Sequence, residues 1–539
     1  MSDEHPEPRI ARTPQARQYL VAVEAVNAEQ WGRALPLLRE LAASGAPHAD
    51  IHHLLSVTAL AIGSMGEALE HASRALRLKP DDGRYLLHAA QVVSRVQSPQ
   101  RALELARRAE PHIWASGGLC MQLSSLYSRA NAYREAGRLS ARACELLPAD
   151  ASSAFNHATT LLFCGELDGA ERMYQQAIEL APTHAQYHLG LAQLRTWTPI
   201  CNHVERLRSK LAVAAHPEDR MYLSLALSKE LEDIGQEAES FGYLVAGKKA
   251  GEQLSHHVIE SEEQALFAQL ESTGADWVRR EDGCDSEEPI FVMGMPRTGT
   301  TLVERILSSH SAVQSVGEIL NFPVQLKRAT GVRSGALLDV DTVRAAAAID
   351  WRELGNAYVE STRPLTGGSR HFVDKHPHNF LYMAMIARAL PRAKLICLRR
   401  GPLDTCLSNF RQLFSPVSPF HGYSFDLLHT GRYYARFSRL MLHFGELLGD
   451  RVLWVDYENL VAEQENETRR LLDFCQLRWE PACMQFERNA APVATASAAQ
   501  VREKLHRGSM DRWRRYAAQL QPLAAQLRAE GLDAAMPSS

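Results

Sequence analysis

Long apolar runs are missing from this sequence: no uninterrupted apolar stretch approaches the roughly 20 residues that span a bilayer. The opening residues, MSDEHPEPRIARTPQ, hold no apolar core of a signal peptide either. These absences lead to the expectation of a cytoplasmic protein with no membrane partner. Cysteine is sparse and not paired in sequence. Nine cysteines, among them Cys120, Cys144, Cys164 and Cys397, stand without close neighbours of their own kind, which suits a reducing compartment and argues against structural zinc. A charge excess is lacking too: a formal net charge of −4 gives no global pull toward nucleic acid, so any anion site has to be local. At 539 residues the chain is too long for one ordinary core, since domains run to about 150 residues.

What is abundant is alanine at a fixed interval. Ala34, Ala68, Ala102, Ala136, Ala170 and Ala238 share a 34-residue period that only Val204 interrupts. A second small-residue register runs twelve residues ahead, through Ala22, Ser56, Ala90, Ser124, Ala158, Ala192 and Ala226. Ala75, Ala109, Ala143 and Ala177 form a third, and Pro80, Pro148 and Pro182 recur at the same period or its double. Several registers with one period predict a helix hairpin repeated along the chain, with small residues where the two helices pack closely. The stretch Tyr85 to Glu110, YLLHAAQVVSRVQSPQRALELARRAE, shows one unit: helical apolar spacing, a QSPQ break, then helical spacing again. This resembles the tetratricopeptide repeat family over about seven repeats. The resemblance implies a surface for a protein or peptide partner, and allows a homodimer.

After Pro289 the texture changes to short apolar runs alternating with helical patterns. PIFVMGM, AKLICLRR and RVLWVDYENL read as buried parallel strands, and the domain as a three-layer α/β fold with a central parallel sheet. In such sheets ligands sit beyond the carboxyl ends of the strands, here PRTGTT, RRGPLD and DYENL. The expected organisation is a tail over 1–16, the repeat solenoid over 17–250, a helical linker over 251–285, the α/β domain over 286–530 and a tail over 531–539.

The first of those strand ends has the outline of a phosphate-binding loop without its lysine. A strand leading through Gly294 and Gly299 into a helix at Thr300 offers backbone N–H groups and a positive helix end. GMPRTGTT carries Thr300 where GxxxxGK[ST] has lysine, and its cation is Arg297. Arg297 suits bidentate contact with a terminal phosphate or sulfonate, and Thr300 and Thr301 add hydroxyls.

PRTGTTLVERILSSH resembles the 5′-phosphosulfate loop of sulfotransferases, most closely that of the tyrosylprotein sulfotransferases, and further likenesses spread over roughly residues 289–516. The resemblance implies 3′-phosphoadenosine 5′-phosphosulfate (PAPS) as sulfuryl donor, 3′-phosphoadenosine 5′-phosphate (PAP) as product, and no metal. VGEIL places Glu318 21 residues after Arg297, at the distance of the family's catalytic base. VDKHPHNF places Lys375 where the family stabilises the transferring sulfonate, and TASAAQVREKL places Ser497 as an active-site hydroxyl. CLRRGPLDTCLSNF matches the 3′-phosphate motif with Arg400 and Ser408, while Tyr457 and Arg512 fall where nucleotide contacts are expected. With Arg297, Thr298, Gly299, Thr300 and Thr301, these form the implied donor site.

The residue types make chemical sense by themselves. A donor with a 3′-phosphate needs a second anion site, and a neutral acceptor hydroxyl needs a carboxylate to take its proton. The residues after Glu318, Ile319 and Leu320, are apolar where the family is polar and basic; Lys327, Arg328 and Arg411 are the cations available for an acidic acceptor instead. His310, His376 and His378 lie in separate motifs without an HxxxH pair and read as structural or substrate-proximal rather than metal-binding. The expected activity is sulfuryl transfer to a protein tyrosine. A carbohydrate or small-molecule hydroxyl is the alternative acceptor, and a P-loop NTPase or kinase and an inactive repeat scaffold are the competing classes.

Overall fold

The computed structural model describes residues 13–533 except 45–47, 97–98, 256–259, 419, 490, 494–499, 503, 506–507 and 509. They form two compact units, divided between Thr160 and Leu161.

In the first unit helices come in antiparallel pairs, such as Ala49–Ala61 with Met65–Leu78 and Gly117–Arg129 with Tyr133–Leu146. The register twelve residues apart has a direct physical meaning. Ser56 Oγ donates to the Ala68 carbonyl at 2.7 Å and Ser124 Oγ to that of Ala136 at 2.8 Å, so each small residue marks the crossing of its hairpin. Ala34, Ala68 and Ala136 are fully buried there, and a larger side chain would push the helices apart.

The second unit contains the last helix pairs and the sheet. In its final pair, Pro217–Asp233 with Glu237–Glu252, the crossing moves two residues along: Ser240 Oγ donates to the Ser228 carbonyl at 2.6 Å. Ala238, which continues the period in sequence, is therefore exposed. The register slips because Phe241 and Leu244 turn inward to pack in the same core as the sheet.

Five parallel strands, β1 (Pro289–Gly294), β2 (Val313–Gly317), β3 (His371–Lys375), β4 (Lys394–Arg399) and β5 (Val452–Asp456), lie in the order β2-β3-β1-β4-β5. Every residue of β1 is buried. Ile290 and Val292 face Leu302, Val303 and Ile306 of the helix Thr300–Ser308, while Phe291 and Met293 face a second core with Phe322, Tyr358 and Met385. Helices thus cover both faces, as a central parallel strand requires. Because β1 pairs with β3 on one side and β4 on the other, its carboxyl end is a topological switch point.

Candidate active site

Three glycine-class backbone positions shape the turn after β1. Gly294, Arg297 and Gly299 have φ of 144°, 68° and 101°. A Cβ on Gly299 would stand 2.6 Å from Tyr457 Cδ2, and one on Gly294 2.7 Å from the Leu398 carbonyl oxygen. Only glycine lets the loop close this tightly on β4 and β5. Arg297 accepts its unfavourable φ because the turn is held from outside. Arg400 Nη1 donates to the Arg297 carbonyl at 3.0 Å, and Asn409 Nδ2 donates to that of Pro296 at 2.7 Å. Thr298 spends its hydroxyl within the loop, on the Met295 carbonyl at 2.7 Å. Gly299, Thr300 and Thr301 then open the helix Thr300–Ser308, with both threonines buried.

Around this loop the fold gathers arginines. Arg400, 6% exposed, follows β4 and lies with its guanidinium carbon 4.6 Å from the centre of the Tyr457 ring. Its carboxylate neighbour Asp404 is 3.9 Å away and is held by the backbone N–H groups of Asp511 and Trp513. Those two residues flank Arg512, whose Nε pairs with Glu232 at 3.0 Å. Burial, then the charges of Arg400 and Arg512, lower the Arg297 pKa to about 10. The loop therefore sits in a field that favours an anion. Ser408 lies farther along the helix Pro402–Arg411, half-buried.

On the other flank, β3 ends in Lys375, 1% exposed, with Nζ bonded to Glu318 and 3.6 Å from Glu304 Oε2. Burial pushes the ammonium down, but the two carboxylates outweigh it and hold its pKa above the ordinary lysine value. Glu318 keeps 42% of its side chain exposed; the desolvation that it does feel acts upward, and Lys375 above all outweighs it, so the carboxylate stays ionised below its usual range. A charged lysine and an ionised carboxylate thus stand together where β2 and β3 end, next to the glycine loop's strand. Burial lowers His376 and His421 to about 4 and His378 well below its ordinary value, leaving all three neutral at pH 7.

The structure thus gathers Arg297, Arg400, Tyr457 and Arg512 around the loop and joins Glu318 to Lys375. Ser497 lies outside the described residues. His310 is apart from His376 and His378: its Nε2 faces the Arg478 carbonyl at 3.0 Å and its Nδ1 accepts from Ala312 N at 3.1 Å, a structural position. Two of the cations read as available for an acidic acceptor are already engaged. Arg411 pairs with buried Glu232, and Lys327 with Asp339 at 3.1 Å and Thr342 at 2.7 Å. Glu304 and Asn409 went unread in the sequence. Glu304 had a signal, a carboxylate on the apolar side of the helix Thr300–Ser308; Asn409 had none.

Comparison with known proteins fits this geometry. Residues 289–481 match the sulfotransferase family, and residues 19–83 and 151–184 match tetratricopeptide repeats. An uncharacterised protein of Aquifex aeolicus is 30% identical over 410 residues, 74% of this chain and 53% of that one. A putative protein-tyrosine sulfotransferase of Caenorhabditis briggsae is 23% identical over 42% of this chain and 81% of its own length. Protein-tyrosine sulfotransferase A of Caenorhabditis elegans is 24% identical over 42% of this chain and 59% of its own. The chain thus spans only about half the length of the Aquifex relative.

Proposed function

We propose that this chain, in which tetratricopeptide repeats precede a sulfotransferase-family domain, moves a sulfuryl group from PAPS to an acceptor hydroxyl. The observation that carries the reading is a glycine loop without the Walker lysine, set among Arg297, Arg400 and Arg512 and flanked by the Lys375–Glu318 pair. Mutually repelling arginines suit a ligand with more than one anionic group, and the close approach of Gly299 to Tyr457 leaves backbone rather than side chain to meet it. Arg400 and Ser408 would hold the 3′-phosphate, with Tyr457 and Arg512 on the nucleotide, and Gly299, Thr300 and Thr301 would hold the 5′-phosphosulfate beside Arg297. Thr298 shapes the loop.

PAPS supplies an activated sulfuryl group whose bond to phosphate breaks as the new bond to the acceptor oxygen forms. Glu318 takes the hydroxyl proton as that bond forms, which its ionised state at neutral pH allows. Lys375 and Arg297 oppose the negative charge that builds on the leaving phosphate oxygen, and PAP departs with the electron pair of the broken bond. Ser497 is a further candidate hydroxyl. We assign the acceptor to protein tyrosine on the likeness to the Caenorhabditis protein-tyrosine sulfotransferases, with the repeats as docking surface; a carbohydrate or small-molecule hydroxyl would use the same donor machinery.

A single-turnover reaction with PAPS labelled in the sulfuryl group tests the proposal. The label should appear on the acceptor in step with PAP release. Binding and hydrolysis of ATP with Mg²⁺, without binding of PAP, would overturn it.

A further inference from the structure

The side of the site where Lys375 leads onward is walled with flat side chains. His376 follows Lys375 directly and interacts electrostatically with Glu318, as does His421. His378 stacks against Phe420 with centroids 4.9 Å apart and meets His421 edge-on at 4.8 Å. Phe414 lies flat against His421 at 4.0 Å, and the His376 ring is 5.8 Å from that of Phe420. The wall therefore borders the carboxylate that takes the acceptor proton.

Its polar atoms are incomplete. His378 is 1% exposed, and its Nε2 has no hydrogen-bond partner among the described residues; His376 Nδ1 is likewise sealed and without one. Buried polar atoms are generally satisfied, so unpartnered ones beside a reaction centre point to a ligand that completes them. Neutral imidazoles offer one N–H and one acceptor nitrogen, which match hydroxyl and amide groups rather than carboxylates. Two of the three cations that would greet a carboxylate are committed, Arg411 to Glu232 and Lys327 to Asp339, and Lys248, whose charge reaches His421, donates to the Gln412 carbonyl at 2.6 Å. Leu320, 39% exposed, adds apolar surface next to Glu318, while Ile319 is buried in the core.

Resting on the sulfuryl-transfer reading above, we infer that the acceptor is an aromatic hydroxyl in uncharged surroundings, with its ring held by His376, His378, Phe420 and His421. This sets the site apart from one built for tyrosines among acidic residues. The shared chemistry has two sources, a free phenol and a tyrosine with neutral flanks.

The test compares kcat/KM at saturating PAPS for 2-naphthol, a tyrosine peptide flanked by alanine and serine, and the same peptide flanked by glutamates. The neutral peptide or the naphthol should exceed the acidic peptide at least tenfold, and whichever of the two leads identifies the source. Phe420→Ala and His378→Ala should raise KM for that acceptor at least tenfold while PAP affinity stays unchanged, and Phe420→Leu should recover part of the loss. PAP affinity measured on the same samples separates the two levels. Absence of PAP binding to the wild-type protein removes the sulfuryl-transfer reading itself. PAP binding with the acidic peptide equal or better, with none of the three accepted, or with KM within twofold in both alanine variants, overturns the inference alone.

Discussion

Glu318→Gln separates a proton acceptor from a structural carboxylate. The side chain bonds Lys375, which is buried and has Glu304 as a second carboxylate 3.6 Å away. Stripping a buried ammonium of every partner would cost about 3–5 kcal/mol. Here Glu304 remains and the glutamine carbonyl still accepts a hydrogen bond, so the loss should be near the 1–2 kcal/mol of one charge-assisted bond weakened. That is a drop of a few degrees in melting temperature. The chemical effect should be far larger, since a general base contributes about 10²–10⁴-fold, equal to about 2.7–5.5 kcal/mol. Wild-type kcat/KM should stay flat as pH falls from 8 to about 5, because Glu318 is held below the ordinary carboxylate range, and should decline only under that. The variant should lose that acid limb altogether. Single-turnover transfer, melting temperature and PAP affinity are read on the same protein. A variant rate within threefold of wild type, with PAP binding intact, would remove Glu318 from the mechanism.

Further expectations follow from the same geometry. Arg400→Ala should weaken PAP binding by about one to two decades, the roughly 1.5–3 kcal/mol of a charge-assisted phosphate contact, and circular dichroism should confirm that the end of β4 is still folded; unchanged affinity would put the 3′-phosphate elsewhere. Arg297→Ala and Lys375→Ala should depress turnover more than PAPS affinity, because their partners gain charge as the sulfonate leaves, and a loss confined to affinity would make both ground-state binders. Acid should destabilise the fold through its neutral histidines. His376 and His421 fall to about 4 from 6.5 when folded, so the unfolded chain binds more protons below pH 6.5, and stability drops from there toward pH 4. A melting temperature that rises on acidification from pH 7 to 5 would contradict this.

The legibility of this chain was uneven for physical reasons. PIFVMGM and AKLICLRR are apolar on both faces because β1 and β4 lie inside the sheet, and RVLWVDYENL gave a readable run although β5 is an edge strand, because Leu453 and Trp454 pack, partly buried, against the cores on its two faces. β2 is a short edge strand with exposed Gln314, so it left no such run. β3, HFVDK, is entirely buried yet ends in two ionisable residues: Asp374, pushed up to about 7 by burial, accepts from Tyr358 Oη at 2.9 Å and Asn379 Nδ2 at 3.1 Å, and Lys375 meets its carboxylates. Partners distant in sequence make those buried polar groups tolerable, and no local pattern announces them. The repeat period was readable because hairpin crossings accept only small side chains, and it failed at Ala238, where packing against the sheet's core replaced packing against another repeat. The glycine loop and its arginine were legible from their spacing. Glu304 stood out in sequence as a carboxylate on the apolar side of the helix Thr300–Ser308, but its partner Lys375, whose pKa it raises together with Glu318, appears only once that helix is set against β3.

The claim that this loop holds a 3′-phosphorylated sulfuryl donor is tested most directly by the thermal stability of the full chain with PAP, PAPS or ATP, each with and without Mg²⁺. A ligand present at 100 times its Kd stabilises the folded state by about 2.7 kcal/mol, a shift of several degrees. PAP and PAPS should both produce it, independently of Mg²⁺, and Arg400→Ala should shrink it. A shift with ATP and Mg²⁺ but none with PAP would contradict the account and return the loop to nucleoside triphosphate chemistry.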